Sequence, residues 1–246
     1  MRAILISAGK GTRLYPLTKN TPKCLIQFGN GETILENQIN TLKKCGIKDI
    51  SIITGYLTEQ IEAKIKIYKD LNIEVIYNPF YDETNNLYSL WMARNRLNED
   101  VITINGDDIF TEEVIVKLRE FTGDIVMCVS ESNEYDEDDM KVVIEDGSVI
   151  KVGKDLDINI TSAESVGMIK MSARGANILK ETLDMMVKSG EYRNDFYLKA
   201  LQNIMDRKIQ VDYVKIEQSQ WQEMDFHADL ELINKLMESK YKKIKF

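Results

Sequence analysis

The sequence predicts an α/β fold: a Rossmann-like, doubly wound, mixed and mainly parallel sheet with a small accessory β region. Two observations predict it. In the first half, short apolar runs alternate with amphipathic stretches of helical period, and Gly-rich or acidic segments follow the apolar runs directly. The second half holds shorter strand-like runs separated by turns. With 246 residues, 43% of them hydrophobic, the chain suits a single domain spanning 1–246.

The predicted elements can be placed in chain order. In the first half, apolar runs predict buried strands, and helical periodicity predicts helices at 34–42 with a stop at Gly46, from 58 onward, and at 87–97. Those strands are expected at 3–6, 50–53, 73–76 and 101–104. In the second half, strands are expected at 125–129, 142–144, 149–152, 166–171 and 211–216, and helices at 173–188, 194–205 and 229–236.

A glycine-rich turn, SAGKGTR at residues 7–13, follows the first strand at once, and Thr-Pro-Lys follows at 21–23. Glycines let consecutive backbone N–H groups face one concavity, where they can hold phosphate oxygens. Arg13 and Lys23 add positive charge for the same anion. The spacing matches neither the Walker A motif nor Gly-x-Gly-x-x-Gly. Taken alone, Gly9 and Gly11 fit a tight strand-to-helix turn equally well.

An acidic segment, Asn-Gly-Asp-Asp at 105–108, ends the predicted strand at 101–104. The carboxyl ends of parallel strands meet at one edge of a sheet, so these carboxylates are expected beside the glycine-rich turn. Mg²⁺ takes hard oxygen ligands and uses only one or two carboxylates, with water and phosphate completing its octahedron. The pattern therefore favours a magnesium site that also binds phosphate.

Charge and cysteine content exclude several classes of protein. A formal net charge of -8 argues against general affinity for nucleic acid or an anionic membrane. The three cysteines, Cys24, Cys45 and Cys128, are too far apart for a CxxC metal clip or a disulfide framework. The N-terminal apolar run is too short for a signal peptide or a membrane span. The expected setting is the cytoplasm, with no nucleic-acid or membrane partner and with a homodimer left open.

Residues 5–23 as a whole resemble the signature of the sugar-phosphate nucleotidyltransferase superfamily: an apolar strand, Ala-Gly-x-Gly-Thr-Arg-Leu, Pro-Leu-Thr and Pro-Lys. Similarity continues at 25–26, 34–39 and 52–56. The resemblance implies that the glycine loop holds a nucleoside triphosphate, that Arg13 contacts its phosphates and that Lys23 bridges the two reactants. It also implies that Asp107 is a metal ligand, which makes Lys23, Arg13 and Asp107 the expected catalytic residues.

The C-terminal segment WQEMDF at 221–226 resembles the Trp-x-x-x-Asp segment of the same superfamily. This resemblance implies that Asp225 is the second metal ligand beside Asp107, with Glu223 in reserve and Mg²⁺ as the cofactor. The alternative for Asp225 is a turn or cap before the predicted helix at 229–236. The expected nucleotide-binding residues are Leu5, Ser7, Ala8, Gly9, Gly11, Thr12, Arg13, Lys23, Asn78, Thr84, Asn85, Asn86, Ser89 and Gly106.

The string TNNLYSL at 84–90 departs from sugar-1-phosphate enzymes, which carry Pro-x-Gly-Leu-Ala there. It resembles the branch that makes CDP-activated small alcohols, the phosphocholine and aminoalkyl-phosphate cytidylyltransferases, which supply capsule and surface-glycan precursors. CTP is therefore the expected nucleotide. Asparagine amides can read the edge of cytosine, and Asn85, Asn86 and Ser89 are the candidates. Capping of the helix at 87–97 by Thr84 or Asn85 is an equal alternative.

The expected partner of CTP is a small phosphorylated acceptor, a phosphocholine-like alcohol or an amine compound. Glu164 could pair with an acceptor's amine or hydroxyl, and Trp221 could stack on a quaternary amine, although aromatic core packing is its alternative. The expected acceptor-binding residues are Asp108, Lys141, Glu164, Tyr192 and Trp221. The acceptor's identity stays open, and a sugar phosphate is among the alternatives.

Several other segments have both structural and functional interpretations. The acidic stretch at 131–139 fits a mobile surface loop better than a lid over the site. The basic tail at 240–245 fits a solvated surface, and His227, the only histidine, fits a turn beside the site. A metal-dependent glycosyltransferase would leave Gly9, Arg13 and Lys23 unused. A non-catalytic nucleotide-binding module would not need both Asp107 and Asp225.

Overall fold

The computed structural model describes residues 1–29, 31–132, 134–226, 228–229 and 231–233. Its strands are β1 (Arg2–Ser7), β2 (Gln27–Phe28), β3 (Glu32–Thr33), β4 (Asp49–Thr54), β5 (Asn72–Tyr77), β6 (Val101–Asn105), β7 (Asp108–Phe110), β8 (Ile125–Ser130), β9 (Lys141–Glu145), β10 (Ser148–Gly153), β11 (Ala163–Met171), β12 (Asp212–Ile216) and β13 (Trp221–Glu223). Its helices are α1 (Ile34–Lys44), α2 (Thr58–Ile65), α3 (Asn86–Met92), α4 (Glu112–Glu120), α5 (Ala173–Ser189) and α6 (Leu198–Asp206).

A nine-stranded sheet with the main path β10-β9-β11-β6-β1-β4-β5 forms the centre, and β8 pairs with both β11 and β12. Strands β6, β1, β4 and β5 are mutually parallel. Because β11 is antiparallel to β6, β8 and β9, all strands of this sheet except β11 and β10 run in one direction. The predicted mixed, mainly parallel α/β fold is confirmed.

Two apolar layers cover the two faces of the sheet. Alternate residues of β1 belong to different layers, since Ile4 packs with α3, α5 and α6 while Leu5 packs with α1, α2 and α4. Both strand faces are therefore buried, which explains the continuous apolar sequence of β1. Because helices pack on both faces of the sheet, the strands are held in place, and so are the strand ends from which the polar loops start.

Helix α1 shows how local sequence sets an element boundary. Thr33 accepts a hydrogen bond from the N–H of Glu36, and the Glu36 carboxylate accepts one from the N–H of Thr33, which completes a capping box. On its inner side, the amide of Gln38 donates to the carbonyls of Asn105 and Asp108, both at 2.8 Å. The helix thus supports the acidic loop after β6.

The strands predicted from apolar runs are confirmed, most within one or two residues. Two helix predictions need correction, and one helix was missed. The helix expected at 194–205 begins only at Leu198, the helix expected at 87–97 ends at Met92 before a 3₁₀ turn, and α4 was not predicted. The short pairs β7 with β13 and β2 with β3 were also missed, because segments of two or three residues show no measurable alternation. Most of the helix expected at 229–236 lies outside the described residues.

No helix within the described part of the chain is long and apolar enough to cross a membrane. Cys24, Cys45 and Cys128 form no disulfide bond in the structure.

Candidate active site

One cavity of about 690 Å³ opens at the carboxyl ends of β1 and β6. The loop after β1 and the acidic loop after β6 lie side by side, because these two strands are adjacent and parallel. Gly106 N–H donates to the carbonyl of Ile6 at 2.9 Å, which ties the two loops together. Topology therefore brings both sequence motifs to one opening.

The glycine loop keeps its backbone accessible where a phosphate would approach. Gly11 has φ +61°, the left-handed region that glycine adopts without cost, and a side chain there would press on Lys23 and Thr18. Gly9 has no atom within 4 Å of the place where a side chain would project. Free space above Gly9 leaves the loop amides open to an anion.

Lys23 bridges two carboxylates that come from opposite halves of the chain. Its Nζ lies 2.7 Å from Asp107 Oδ2 and 2.5 Å from Asp225 Oδ1. Burial by itself would lower the pKa of the Lys23 ammonium, but the charges of Asp107 and Asp225 outweigh burial and raise that pKa above its usual value. The side chain of Lys23 therefore stays protonated and brings a positive charge to the cavity that it lines.

Asp107, Glu223 and Asp225 each offer a carboxylate oxygen, and these oxygens lie within 4.8 Å of one another. Asp107 Oδ1 is buried and has no hydrogen-bond partner within the described residues. Burial and the charges of Asp107 and Asp225 raise the pKa of Glu223 well above its usual value. The three carboxylates repel one another, and one of their oxygens lacks a hydrogen-bond partner in the described part of the chain. Because carboxylate oxygens are hard ligands, the cluster fits a divalent cation such as Mg²⁺.

Arg13 extends the positive charge toward the mouth of the cavity. Its guanidinium lies 2.8 Å from Asp225 Oδ2 and 3.6 Å from Asp138 Oδ2, and its Cζ stands 5.3 Å from the centre of the Phe226 ring. Lys154 Nζ lies 3.1 Å from the other oxygen of Asp138. The acidic segment at 131–139 thus contacts two cations of the cavity.

The start of α3 forms a second wall of the cavity. Asn85 accepts the N–H of Asn86 as the N-cap, and its amide donates to the carbonyl of Asn194 at 3.1 Å. Asn86 Oδ1 accepts the N–H of Tyr197 at 2.8 Å. Capping and base contact are therefore compatible for this segment, because each amide keeps hydrogen-bonding capacity beyond the bonds found here.

A third wall carries Glu164, at the end of β11 where it pairs with β8. Burial, followed by the charges of Asp139 and Asp136, raises the pKa of Glu164 to about 7. Met140 and Phe196 line the same part of the cavity. This wall combines carboxylates with apolar surface.

The nucleotidyl transferase family model matches residues 2–137, which include the glycine loop, Lys23 and Asp107. The chain belongs to the nucleotidyl transferase family.

Full-length relatives of this nucleotidyltransferase cover nearly the whole chain. It is 30% identical to the choline-phosphate cytidylyltransferase of Streptococcus pneumoniae, over 89% of this chain and 97% of the relative. It is 26% identical to the CTP:phosphoglutamine cytidylyltransferase of Campylobacter jejuni, over 94% of this chain and 98% of the relative. The solved CTP:phosphocholine cytidylyltransferase of S. pneumoniae superposes with a TM-score of 0.77 at 26% identity, over 96% of this chain and 98% of that chain.

The nucleotidyltransferase cavity brings together most of the residues expected from the sequence. Those that line it are Ser7, Ala8, Gly9, Gly11, Arg13, Lys23, Thr84, Asn85, Asn86, Ser89, Gly106, Asp107, Glu164, Trp221 and Asp225. Glu223, held in reserve as a ligand, lines it too.

Other expected site residues do not line the cavity. Leu5 is fully buried in the core, and Thr12 lies in the turn behind the loop. Asn78 is buried, donates to Ser89 Oγ at 3.0 Å and accepts the N–H of Phe80, so it holds the loop after β5. Leu5 and Asn78 can serve the nucleotide only through the backbone or by supporting a neighbour, whereas Thr12 is exposed.

Three of the expected acceptor-binding residues are also displaced from the cavity. Lys141 is buried, and its ammonium donates to the carbonyl of Lys154 at 2.9 Å. Tyr192 packs against the apolar layer under α5 and α6. Asp108 is 1% exposed and accepts a hydrogen bond from Trp221. His227 and the basic tail lie outside the described residues.

Sequence reasoning missed Lys154, Phe196 and the acidic segment as parts of the site. Lys154 follows β10, Phe196 precedes α6, and Asp136, Asp138 and Asp139 line the cavity from the segment between β8 and β9. A lone lysine after a strand and a run of acids carry no motif that would separate them from a solvated surface. They come near the glycine loop only in the folded sheet, where β11 pairs with β6, β8 and β9.

Proposed function

We propose that this nucleotidyltransferase uses CTP and a small phosphorylated alcohol or amine compound, forming a CMP-linked product and releasing pyrophosphate. The observation that carries the proposal is the meeting of Lys23 with Asp107 and Asp225 beside the open glycine loop. The kind of acceptor rests on the full-length similarity to phosphocholine and phosphoglutamine cytidylyltransferases.

The reaction requires no side-chain nucleophile. A phosphate oxygen of the acceptor attacks the α-phosphorus of CTP, the bond between the α-phosphorus and the bridging oxygen breaks, and pyrophosphate carries away the electron pair. Negative charge grows on the nonbridging oxygens and on the leaving group. Cations fixed before the reaction stabilise that charge most, and Lys23 and Arg13 stand where both reactants would meet.

Asp107 and Asp225 would hold Mg²⁺, with Glu223 close enough to contribute. When bound, the ion would neutralise phosphate charge and polarise the α-phosphoryl oxygen. Lys23 now neutralises the same two carboxylates. In the loaded enzyme its ammonium would be free to turn toward the reacting phosphates.

The wall at the start of α3 supports the choice of a pyrimidine base. Asn85, Asn86 and Ser89 line the cavity beside the glycine loop, and an amide can donate to and accept from the O2, N3 and N4 edge of cytosine. Tyr81 lines this side as well, where it packs against Gly55.

The acceptor would enter between Glu164, Phe196 and the acidic segment at 131–139. Lys154, which pairs with Asp138, would meet the acceptor's phosphate. The net charge of -8 and the lack of a disulfide bond among Cys24, Cys45 and Cys128 support work in the cytoplasm. We further propose that the product serves the synthesis of surface-glycan precursors. A homodimer remains part of the proposal.

A pyrophosphate-release assay tests the proposal. Purified protein with Mg²⁺ is incubated with CTP, UTP, dTTP or ATP against phosphocholine, phosphoethanolamine, an aminoalkylphosphonate and glucose-1-phosphate. Release is expected only with CTP and one of the small alcohol or amine acceptors. Release with UTP and the sugar phosphate would instead assign a sugar-1-phosphate nucleotidyltransferase. Removal of Mg²⁺ with EDTA should abolish release, and re-addition should restore it.

A further inference from the structure

The carboxylates of the metal site are held together by a very short piece of sheet. Strand β13 pairs antiparallel with β7, with Glu223 opposite Asp108 and Trp221 opposite Phe110. The Met224 N–H also donates to the carbonyl of Asp107 at 3.1 Å. Each strand has three residues. Backbone pairing of this length is weak by itself, so the position of Asp225 relative to Asp107 needs further support.

A side-chain hydrogen bond spans the same pair of strands. Trp221 Nε1 donates to Asp108 Oδ1 at 3.0 Å. Asp108 is 1% exposed, and Gly167 stands so close that any side chain there would collide with the Asp108 carboxyl. Asp108 therefore points into the protein, away from any ligand in the cavity. Of the two neighbouring aspartates at 107 and 108, only the first lines the cavity.

Trp221 connects this buried carboxyl to the cavity. Its ring packs partly against the apolar layer below the sheet and partly lines the cavity. With the Nε1 edge bound to Asp108, the indole cannot rotate without taking the hydrogen-bond donor away from a buried carboxyl oxygen. Strand β13 ends at Glu223, two residues after Trp221, and Asp225 lies just beyond the strand.

We propose that Asp108 and Trp221 form a positioning clamp, in which the Trp221 Nε1 to Asp108 Oδ1 hydrogen bond fixes β13 so that Glu223 and Asp225 meet Asp107 around one cation. The clamp touches neither the cation nor the reacting phosphates. Its effect on turnover rests on the proposed function, but its effect on cation binding does not.

The chain offers a matched control elsewhere. Trp91 Nε1 donates to Asp184 Oδ1 at 2.8 Å, so the protein contains a second tryptophan–aspartate hydrogen bond. That pair joins α3 to α5, and neither residue lines the cavity. Trp91→Phe thus removes the same chemical contact without altering the support of β13.

The test measures Mn²⁺ binding to the purified full chain by electron paramagnetic resonance, together with thermal midpoints. Trp221→Phe keeps an aromatic ring but removes the donor, and Mn²⁺ should then bind about tenfold more weakly, as expected for the loss of one buried hydrogen bond. Trp91→Phe should bind Mn²⁺ within about twofold of the unaltered protein at a similar loss of thermal stability. Asp108→Asn keeps an acceptor oxygen and should preserve binding, whereas Asp108→Ala should weaken it as Trp221→Phe does.

Two results would overturn the clamp. One is unchanged Mn²⁺ affinity in a folded Trp221→Phe protein, and the other is equal weakening in Trp91→Phe, which would trace the effect to general stability. Should Asp108→Ala fail to fold, the comparison of the two tryptophan variants decides. Absence of Mn²⁺ binding to the unaltered protein would remove the cation site and the clamp together. If Trp221→Phe loses Mn²⁺ affinity while the unaltered protein shows no cytidylyltransferase activity, only the proposed function is refuted.

Discussion

At the scale of single residues, Lys23 is the side chain on which the proposed chemistry depends most. It neutralises Asp107 and Asp225 in the free protein and stands beside the glycine loop that would hold the triphosphate. A mobile surface lysine could not do both, because its ammonium would sample many positions. Glu164 shows the opposite situation, a carboxyl held where negative charge is unfavourable.

Lys23→Ala should lower the rate of pyrophosphate release by about 10² to 10³-fold, since a fixed charge next to the reacting phosphates would be lost. The variant also leaves two like-charged carboxylates without their cation. Lys19→Ala provides the control, because its side chain is exposed and carries no site contact. A rate close to that of the unaltered protein would remove Lys23 from the mechanism.

Glu164 predicts a pH dependence of stability. Because its pKa is raised to about 7, the folded protein binds this proton more tightly than the unfolded chain, and stability is lost as pH rises from about 4.5 through 7. Glu164→Gln removes the unfavourable charge. Urea unfolding should therefore show a gain on the order of 1 kcal/mol at pH 8, after allowance for partial exposure, and a much smaller one at pH 5.

Glu145→Gln, which removes an exposed carboxylate of β9, should show no such difference between the two pH values. Equal effects of the two substitutions at both pH values would show that Glu164 is not held in an unfavourable environment.

At the scale of elements, two segments decide how well the site is supported. Helix α1 carries Gln38 against the loop after β6, and its start is fixed by the capping box of Thr33 and Glu36. The acidic segment at 131–139 places Asp138 between Arg13 and Lys154. The first contact is a permanent support, whereas the second occupies cations that a phosphate would also use.

Thr33→Ala should destabilise the protein by about 1 kcal/mol, because the N–H of Glu36 loses its cap. Thr111→Ala is the matched control. Thr111 is the N-cap of α4, yet its side chain makes no capping hydrogen bond, and its buried hydroxyl has no partner within the described residues. Denaturant midpoints measure both variants, and an equal cost would contradict the capping role of Thr33.

Asp138→Asn should tighten the binding of inorganic pyrophosphate severalfold, because Arg13 and Lys154 would no longer be paired with a carboxylate. Glu137→Gln removes the same charge from the neighbouring exposed position, which has no ion pair among the described residues. Calorimetric titration with pyrophosphate compares the two variants. An equal gain in both would mean that net charge alone sets the affinity.

At the scale of the whole molecule, the site combines residues that are far apart in the sequence. The glycine loop lies near the start, and Asp225 lies close to the end of the described residues. A ligand that contacts both should therefore stabilise the entire fold. CTP with Mg²⁺ at about 100 times its dissociation constant should add about 2.7 kcal/mol, seen as a higher thermal midpoint. The same concentration of ATP should add much less, and an equal shift would contradict selection of a pyrimidine base.

Much of the fold was predictable because each of the main strands carries its own signal. The strands β1, β4 and β6 are buried on both faces, so they read as short continuous apolar runs. Helix α4 escaped prediction because its nine residues are fewer than the window over which a helical period is clear. Strand β13 escaped because three residues show no period.

The sequence by itself determined the glycine loop, Arg13, Lys23 and Asp107, since local order and spacing are enough to define a strand end followed by a phosphate-binding turn. Only the tertiary structure decided the rest. It brought Lys154 to the cavity, chose the site over a helix cap for Asp225, turned Asp108 and Lys141 away from the cavity, and placed the acidic segment beside Arg13. Which of two adjacent side chains faces a ligand depends on strand pairing across the chain, and no local pattern records that pairing.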